Sequence, residues 1–256
     1  MLVTYEQKGF VYLLTIANPP LNVLTDALLS DLDVMVDEII AKVDCRVLVI
    51  TGAGEKAFVA GADINQFLHL DAREGARLVE KGKKIFDKLA YAPFPVVCAI
   101  NGLALGGGLE LALACDIRIA EQKAKIGLPE TGLAILPGYS GTQRLTQLIG
   151  PGRAKKMIFT GAVLSAHEAY EWGVIEAVVP NGQSVNEALA LAEQIASKGP
   201  LAIKKAKLAI TQGLDLSFEE GQAFETQCFA DLCQTEDMLE GAKAFKEKRI
   251  PTYYGK

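Results

Sequence analysis

The chain has 256 residues, of which 50% are hydrophobic, and its 26 basic and 31 acidic residues give a net charge of −5. This length and composition allow one large domain, or one domain with an appendage, around a sizeable buried core. The acidic balance argues against general nucleic-acid binding, which requires a basic surface.

Cysteine and histidine usage indicates a reducing compartment and no metal site. The 5 cysteines include no Cys-x-x-Cys pair and most lie in apolar stretches, so we expect buried free thiols and a cytoplasmic protein. The histidines, His69 and His167, are expected on the surface or at a helix cap, and no zinc-ligand spacing occurs, so no metal is expected. The first residues have no signal-peptide pattern. Residues 89–109 are uncharged, but prolines and glycines interrupt them, so we expect no membrane span.

The first two thirds of the chain alternate strand and helix patterns. Runs rich in β-branched and aromatic residues predict strands at 2–6, 10–16, 46–51, 96–100, 116–120, 124–127 and 174–179. Apolar spacing predicts helices at 25–41, 71–90, 142–149 and 152–160, and the capping box Ser165-x-x-Glu168 opens another. The strand at 46–51 follows a helix, so we expect it to be parallel to its neighbour.

Beyond about Ser184 the pattern is helical throughout. Its signals are the capping boxes Ser184-x-x-Glu187 and Ser217-x-x-Glu220, the N-cap Thr235 and the first-turn Pro200. We therefore expect helices and no strand here, and divide the chain into an α/β core at 1–195 and a helical region at 196–256. That region is too thin to bury its own apolar face, so we expect it to pack on the core or on a neighbouring subunit.

Residues 101–116 combine consecutive glycines at 106–108 with an apolar helix pattern that contains one charge, Glu110. A buried carboxylate is costly to ionise, so the pKa of Glu110 should rise. Glycines before a helix leave N–H groups free to hold a developing negative charge. The segment is typical of a catalytic site, although close packing of the glycines and a buried partner for Glu110 would also explain it.

A second isolated carboxylate follows this segment. Between Lys125 and Arg144 the only charged residue is Glu130, in a run rich in glycine and apolar residues. Two carboxylates in such surroundings predict a paired general acid and general base.

Other patterns support competing functions less well. Residues 52–57 (Gly-Ala-Gly-Glu-Lys-Ala) follow a strand and fit a dinucleotide fingerprint, but neither a helix pattern nor the required acidic residue follows. A glycine-rich turn is favoured, and an NAD-dependent dehydrogenase stays as the alternative. The stretch from Gly138 to Thr142 lacks the last glycine of a serine-hydrolase nucleophile elbow.

Two lysine clusters admit two explanations each. Their members are Lys81, Lys83, Lys84 and Lys88, and then Lys204, Lys205 and Lys207. A solvated helix face explains each cluster, and binding of a phosphate-bearing ligand is the functional alternative.

Three stretches, at residues 56–64, 101–110 and 127–145, stand in the order and at the separations that resemble the crotonase (enoyl-CoA hydratase/isomerase) superfamily. The likeness is to its enoyl-CoA hydratase branch and extends along essentially the whole chain. It implies an α/β fold, a crotonase-like ββα-spiral core with a helical C-terminal region that builds trimers, often paired into hexamers. It also implies acyl-CoA thioester substrates and no separate cofactor, since coenzyme A is part of the substrate.

The resemblance also implies a set of site residues. It assigns the oxyanion hole to the N–H groups of Ala62 and Gly107, and the acid–base pair to Glu110 and Glu130. Glu110 would activate the water that adds to C3 of a trans-2-enoyl thioester, and Glu130 would supply the proton to C2. The implied CoA- and substrate-binding residues are Ala60, Gly61, Asp63, Ile64, Asn65, Gly106, Pro129, Leu133, Gly138 and Tyr139, with Phe245 and Lys248 from a neighbouring subunit.

The implied activity is an enoyl-CoA hydratase, a lyase of fatty-acid β-oxidation or related acyl-CoA breakdown. An enoyl-CoA isomerase, or another acyl-CoA lyase of the superfamily, is the alternative. Two positions depart from the family pattern: Ala134 stands where glycine is usual, and Tyr139-Ser140 replaces a more frequent small pair. We expect the bulk of Tyr139 to shorten or reshape the acyl pocket.

Overall fold

A computed structural model describes residues 1–256 except for the side chain of His69, so the expectation for that side chain lies outside the described residues. The strands are β1 (Val3–Lys8), β2 (Val11–Ile16), β3 (Val47–Gly52), β4 (Ala57–Val59), β5 (Val96–Ile100), β6 (Leu103–Leu105), β7 (Ile117–Glu121), β8 (Lys125–Gly127), β9 (Val163–Ser165) and β10 (Ala177–Val179). The α-helices are α1 (Asp26–Ile40), α2 (Ala72–Ala90), α3 (Gly107–Leu113), α4 (Gly141–Thr160), α5 (Ala166–Trp172), α6 (Ser184–Ala196), α7 (Pro200–Gly213), α8 (Phe218–Leu232) and α9 (Glu236–Glu247). Short 3-10 helices lie at Ile64–His69 and Glu130–Leu133.

The strands form two sheets. The larger has the order β1-β2-β3-β5-β7-β10, with β1 and β2 antiparallel and the other pairs parallel, which confirms the parallel prediction for β3. The smaller has the order β4-β6-β8-β9. Of this sheet the sequence predicted only β8, because strands of three residues are too short for alternation to be visible.

The position of β3 in the sheet explains why its first four residues are all apolar. Leu48 and Ile50 point into the main core, whereas Val47 and Val49 pack in a second cluster with α6. Both faces of the larger sheet are therefore covered, so successive side chains are all buried.

Helices α1 and α2 are held together by ion pairs. Lys81 of α2 pairs with Asp26 of α1, and Lys88 pairs with Asp33 and Asp37. Lys81 and Lys88 of the first lysine cluster therefore face α1. Lys83, a third member of that cluster, forms none of these ion pairs.

The structure corrects three details of the prediction. Ser184 does not cap α6; its hydroxyl donates a hydrogen bond to the buried carboxylate of Glu121 at 2.9 Å, and the N-cap is Gln183. The strand predicted at 174–179 forms only as β10. The two helices predicted at 142–149 and 152–160 are the two parts of α4, bent at the non-helical Gly150 before Pro151.

The C-terminal helices α7 to α9 form as predicted, with capping by Ser217 and Thr235 and with Pro200 in a first turn. Lys207 anchors α7 to the core through an ion pair with Asp116 at 2.8 Å. Within the described residues, none of the helices is long and apolar enough to cross a membrane.

Candidate active site

A cavity of about 750 Å³ contains both predicted carboxylates. Its walls come from the loop before the 3-10 helix Ile64–His69, from α2, from the start of α3 and from the loop between β8 and α4. The predicted residues that line it are Ala60, Gly61, Ala62, Ile64, Gly106, Gly107, Glu110, Pro129, Glu130, Leu133, Gly138 and Tyr139.

Four predicted residues do not line the cavity of this chain. The Asp63 carboxylate caps the 3-10 helix by accepting hydrogen bonds from the backbone and side-chain N–H groups of Asn65, at 3.0 and 2.8 Å. Phe245 is 86% exposed near the end of α9, and Lys248 follows that helix in a left-handed conformation. Their roles as CoA contacts stay predictions, and those of Phe245 and Lys248 require a second subunit.

Glu110 lies on the buried helix α3, all of whose residues are buried. Its carboxylate is 2% exposed and accepts a hydrogen bond at Oε1 from the N–H of Gly141, at 2.7 Å. Removal from water raises the pKa of Glu110 to about 8; the Gly141 hydrogen bond opposes this rise, and the charge of Glu130 adds to it. The rise expected from the sequence is therefore present, and the buried partner of Glu110 is an amide rather than a cation.

Glu130 approaches the same space from the start of a 3-10 helix. Burial raises its pKa to about 7. Its Oε2 atom is buried and has no hydrogen-bond partner among the described residues. A buried, unpaired oxygen in a cavity can be satisfied by a bound water or by a substrate.

Two backbone N–H groups of the cavity wall also lack acceptors. Leu24 holds the loop on both sides of Ala62, accepting from the N–H of Asp63 at 3.1 Å and donating to the carbonyl of Gly61 at 2.9 Å. Among the described residues, no acceptor is recorded for the N–H of Ala62 or for that of Gly107, the first residue of α3. Free N–H groups in a water-poor pocket can stabilise an oxyanion.

The glycines around the start of α3 allow close packing against the neighbouring elements. A side chain at Gly106 would place its Cβ 2.9 Å from Glu130 Oε1, and the residue has a positive φ of 52°. A Cβ at Gly108 would overlap the carbonyl of Val59 in β4. Close packing therefore explains these glycines and brings α3 to the cavity, while the catalytic role of the segment stays a prediction.

A short turn orients the N–H of Gly141 toward Glu110. Ser140 precedes it with a φ of 77°. Arg144 donates to the carbonyl of Tyr139 at 3.3 Å and pairs with Asp87 of α2 at 2.5 Å, which ties the turn to that helix. The sequence reasoning missed Gly141, although the residue lies within the 127–145 stretch.

Tyr139 forms a wall of the cavity. Its ring is 5% exposed and meets Phe86 edge to face, with 5.4 Å between the ring centroids. A Cβ at Gly82 of α2 would lie 2.5 Å from this ring, so the small residue at 82 is what makes room for it. Burial raises the pKa of Tyr139 to about 12.

Two competing sites lack structural support. Residues 52–57 end β3 and lead into β4, so the helix that a dinucleotide site requires does not follow them. Across the described residues, no group of three or more metal-ligating side chains occurs.

The family model described as enoyl-CoA hydratase/isomerase matches residues 6–256. A short-chain-enoyl-CoA hydratase of Clostridium acetobutylicum is 42% identical over 96% of this chain and 95% of its own length. The mitochondrial methylglutaconyl-CoA hydratase of Mus musculus is 42% identical over 98% of this chain and 81% of its own length.

Solved structures agree with this relationship. The crystal structure of an enoyl-CoA hydratase from Bacillus anthracis superposes with a TM-score of 0.96 at 43% identity and covers 100% of both chains. The predicted α/β fold with C-terminal helices is thereby confirmed. The chain belongs to the enoyl-CoA hydratase/isomerase family of the crotonase superfamily.

Proposed function

We propose that this protein is an enoyl-CoA hydratase, which adds water across the 2,3 double bond of a trans-2-enoyl-CoA. The observation that carries the proposal is the arrangement of one cavity. Glu110 and Glu130, both with raised pKa values, line it together with Ala62 and Gly107, whose N–H groups have no acceptor among the described residues.

The hydrogen bonds distinguish the two carboxyl groups. Their pKa values, about 8 for Glu110 and about 7 for Glu130, are close, so the pair titrates jointly. Glu110 accepts the Gly141 N–H, which favours its ionised form, whereas Glu130 Oε2 has no partner in the described structure. The higher pKa of Glu110 would by itself make this group the acid, so we assign the base to Glu110 and the acid to Glu130 on the family resemblance, with the Gly141 N–H available to hold the Glu110 carboxylate once it is ionised.

The proposed reaction follows from this assignment. Glu110 removes a proton from water as the water oxygen bonds to C3, and the electrons of the double bond move toward the thioester oxygen. The N–H groups of Ala62 and Gly107 hold that oxygen, and one such donor typically contributes about 3 kcal/mol. C2 then takes the proton of Glu130, and proton transfer from Glu110 to Glu130 restores the starting state.

The test is the hydration of crotonyl-CoA by Glu110→Gln and Glu130→Gln variants. Each should lower kcat by about 10²–10⁴-fold, the usual contribution of a positioned acid or base, while circular dichroism and Tm report an intact fold. The matched control is Glu121→Gln: this glutamate is also 2% exposed but lies on β7, outside the cavity. Folded Gln variants that hydrate crotonyl-CoA at the wild-type rate would contradict the proposal.

The isomerase alternative is decided by the products formed from a 3-enoyl-CoA, because isomerisation moves the double bond without adding water. The presence of both glutamates favours hydration, which needs a base for water and an acid for C2.

We further propose that the division at residues 195 and 196 separates the catalytic core from a region that assembles the protein into trimers or pairs of trimers. Helices α7 to α9 expose Ile210, Phe229 and Phe245, which supports this. The free cysteines support a cytoplasmic role in acyl-CoA breakdown.

A further inference from the structure

Lys83 brings a positive charge to the wall of the cavity. Gly75, Val79 and Lys83 of α2 all line it, and their spacing of four residues puts them on one face of the helix. The eight residues from Gly75 to Lys83 span about 12 Å of helix. Lys83 therefore lies about two turns further along α2 than Gly75, on the same cavity-facing side.

Lys83 lies where α2 meets the start of α4. Gly82 contacts the Tyr139 ring, and one turn further on Asp87 pairs with Arg144. Thr142 and Gln143, from the first turn of α4, line the same cavity. Val79 packs against Gly138, where a Cβ would meet it at 2.9 Å. The cavity wall here therefore combines apolar side chains with side-chain hydrogen-bond donors.

The charge of Lys83 is not neutralised within the described residues. No ion pair to Lys83 occurs there, whereas Lys81 and Lys88 of the same helix pair with aspartates of α1. Among the side chains that the structure describes, the charged ones lining the cavity are Glu110, Glu130 and Lys83. Asp87, one turn from Lys83 on the same helix, is already bound by Arg144.

We propose that Lys83 binds a carboxylate at the far end of the acyl group, so that the preferred substrate is the enoyl-CoA of a dicarboxylic acid. This inference rests on the proposed hydratase function and adds a substrate class to it. An ammonium group with nearby hydroxyl and amide donors can form charge-assisted hydrogen bonds with a carboxylate, whereas a purely apolar tail has no atom that accepts them. The phosphates of CoA carry the same kind of charge, but we expect them near residues 60–65.

The test compares two substrates of similar length, glutaconyl-CoA, which ends in a carboxylate, and trans-2-hexenoyl-CoA, which ends in a methyl group. The wild type should have the higher kcat/KM for glutaconyl-CoA. Lys83→Met should lower the ratio of the two kcat/KM values by about 10–100-fold, mainly through KM, as expected for loss of a charge-assisted hydrogen bond. The control Lys84→Met changes the adjacent lysine, which is exposed like Lys83 but does not line the cavity, and should leave that ratio unchanged.

Each other outcome has a distinct meaning. Equal losses for both substrates in Lys83→Met would assign Lys83 to the common CoA moiety and overturn the inference. An unchanged ratio, or a wild type that hydrates hexenoyl-CoA without preferring glutaconyl-CoA, would overturn it too and leave the hydratase function standing. A wild type that hydrates neither these substrates nor crotonyl-CoA would overturn both proposals.

Discussion

Helix α3 and the C-terminal helices are opposite in how they use apolar residues. Every residue of α3 is buried, including the charged Glu110. In the described structure α7 has no buried residue, and α8 buries only Cys228. At the same time α7 and α8 expose large apolar side chains such as Ile210 and Phe229.

The contrast separates two uses of the hydrophobic effect. Around α3, burial within one chain creates a water-poor pocket in which carboxyl pKa values rise. These buried carboxyl groups lower the free energy of unfolding at neutral pH, and the same burial supplies the proposed acid and base. On α7 and α8, the fold of a single chain leaves large apolar side chains exposed to water. Contact with another subunit would bury this surface. The first region should therefore respond to pH and the second to subunit contacts.

Disruption of the C-terminal apolar surface should have the largest effect on the molecule as a whole. Phe229→Glu places a charge at an exposed apolar position of α8, and burial of an unpaired charge in a subunit interface costs several kcal/mol. We expect the wild type to elute as a trimer or larger and the variant to shift to smaller species, measured by size-exclusion chromatography with light scattering. The control Gln222→Glu adds the same charge at an exposed polar position of α8. A monomeric wild type would remove the proposed role of this region.

The pH dependence of the free energy of unfolding should test the other region of the comparison, the buried carboxyl groups around α3. The folded-state pKa values of Glu110 and Glu130, about 8 and about 7, lie above the unfolded value near 4.5, so the folded protein binds more protons between these limits. With respect to these two groups, the free energy of unfolding should therefore be highest at and below about pH 4.5, should fall as pH rises from there to 7 and 8, and should level off above.

Glu110→Gln removes one of these titrations. The variant should be more stable than the wild type at pH 8, by about 2–4 kcal/mol, and nearly equal to it at pH 5. Chemical denaturation at both pH values and one protein concentration measures this. The exposed Glu187→Gln on α6 is the control and should show no such difference. An equal effect of Glu110→Gln at both pH values would mean that the carboxyl ionises in the folded protein as it does in the unfolded chain, so that its pKa is not raised.

The elements that could be predicted are those with a repeated pattern. Helix α1 and strand β5 have long apolar periodicity or a continuous apolar run, and the structure has them where the sequence indicates. Glu110 and Glu130 stood out because each is the lone charge in an apolar run. Apart from β8, the strands of the smaller sheet could not be predicted, because they are three-residue segments that only tertiary contacts bring together.

The site residues that were missed act through the backbone or through helix orientation. Gly141 contributes an N–H, and a backbone donor leaves no signature in side-chain chemistry. Lys83 was one of four clustered lysines. Its four-residue spacing from Val79, and the seven-residue spacing of Lys81 and Lys88, would have separated the cavity face from the face toward α1.

The smallest predicted effect concerns the backbone of Ala134, in the loop that carries Glu130. Ala134 has a φ of 58°, in the left-handed region where a Cβ is unfavourable by about 1–2 kcal/mol. Ala134→Gly should relieve this strain and, after the greater freedom of glycine in the unfolded chain is subtracted, raise the free energy of unfolding by about 0.5–1 kcal/mol.

Gly173 is the matched control, because it ends α5 with a φ of 78° and has open space where a Cβ would lie. Gly173→Ala should lower stability by about 1 kcal/mol, so thermal unfolding of the two variants should shift Tm in opposite directions. A decrease for both would mean that Ala134 makes contacts that outweigh its backbone strain, and that the loop near Glu130 is packed for rigidity in the way that α3 is.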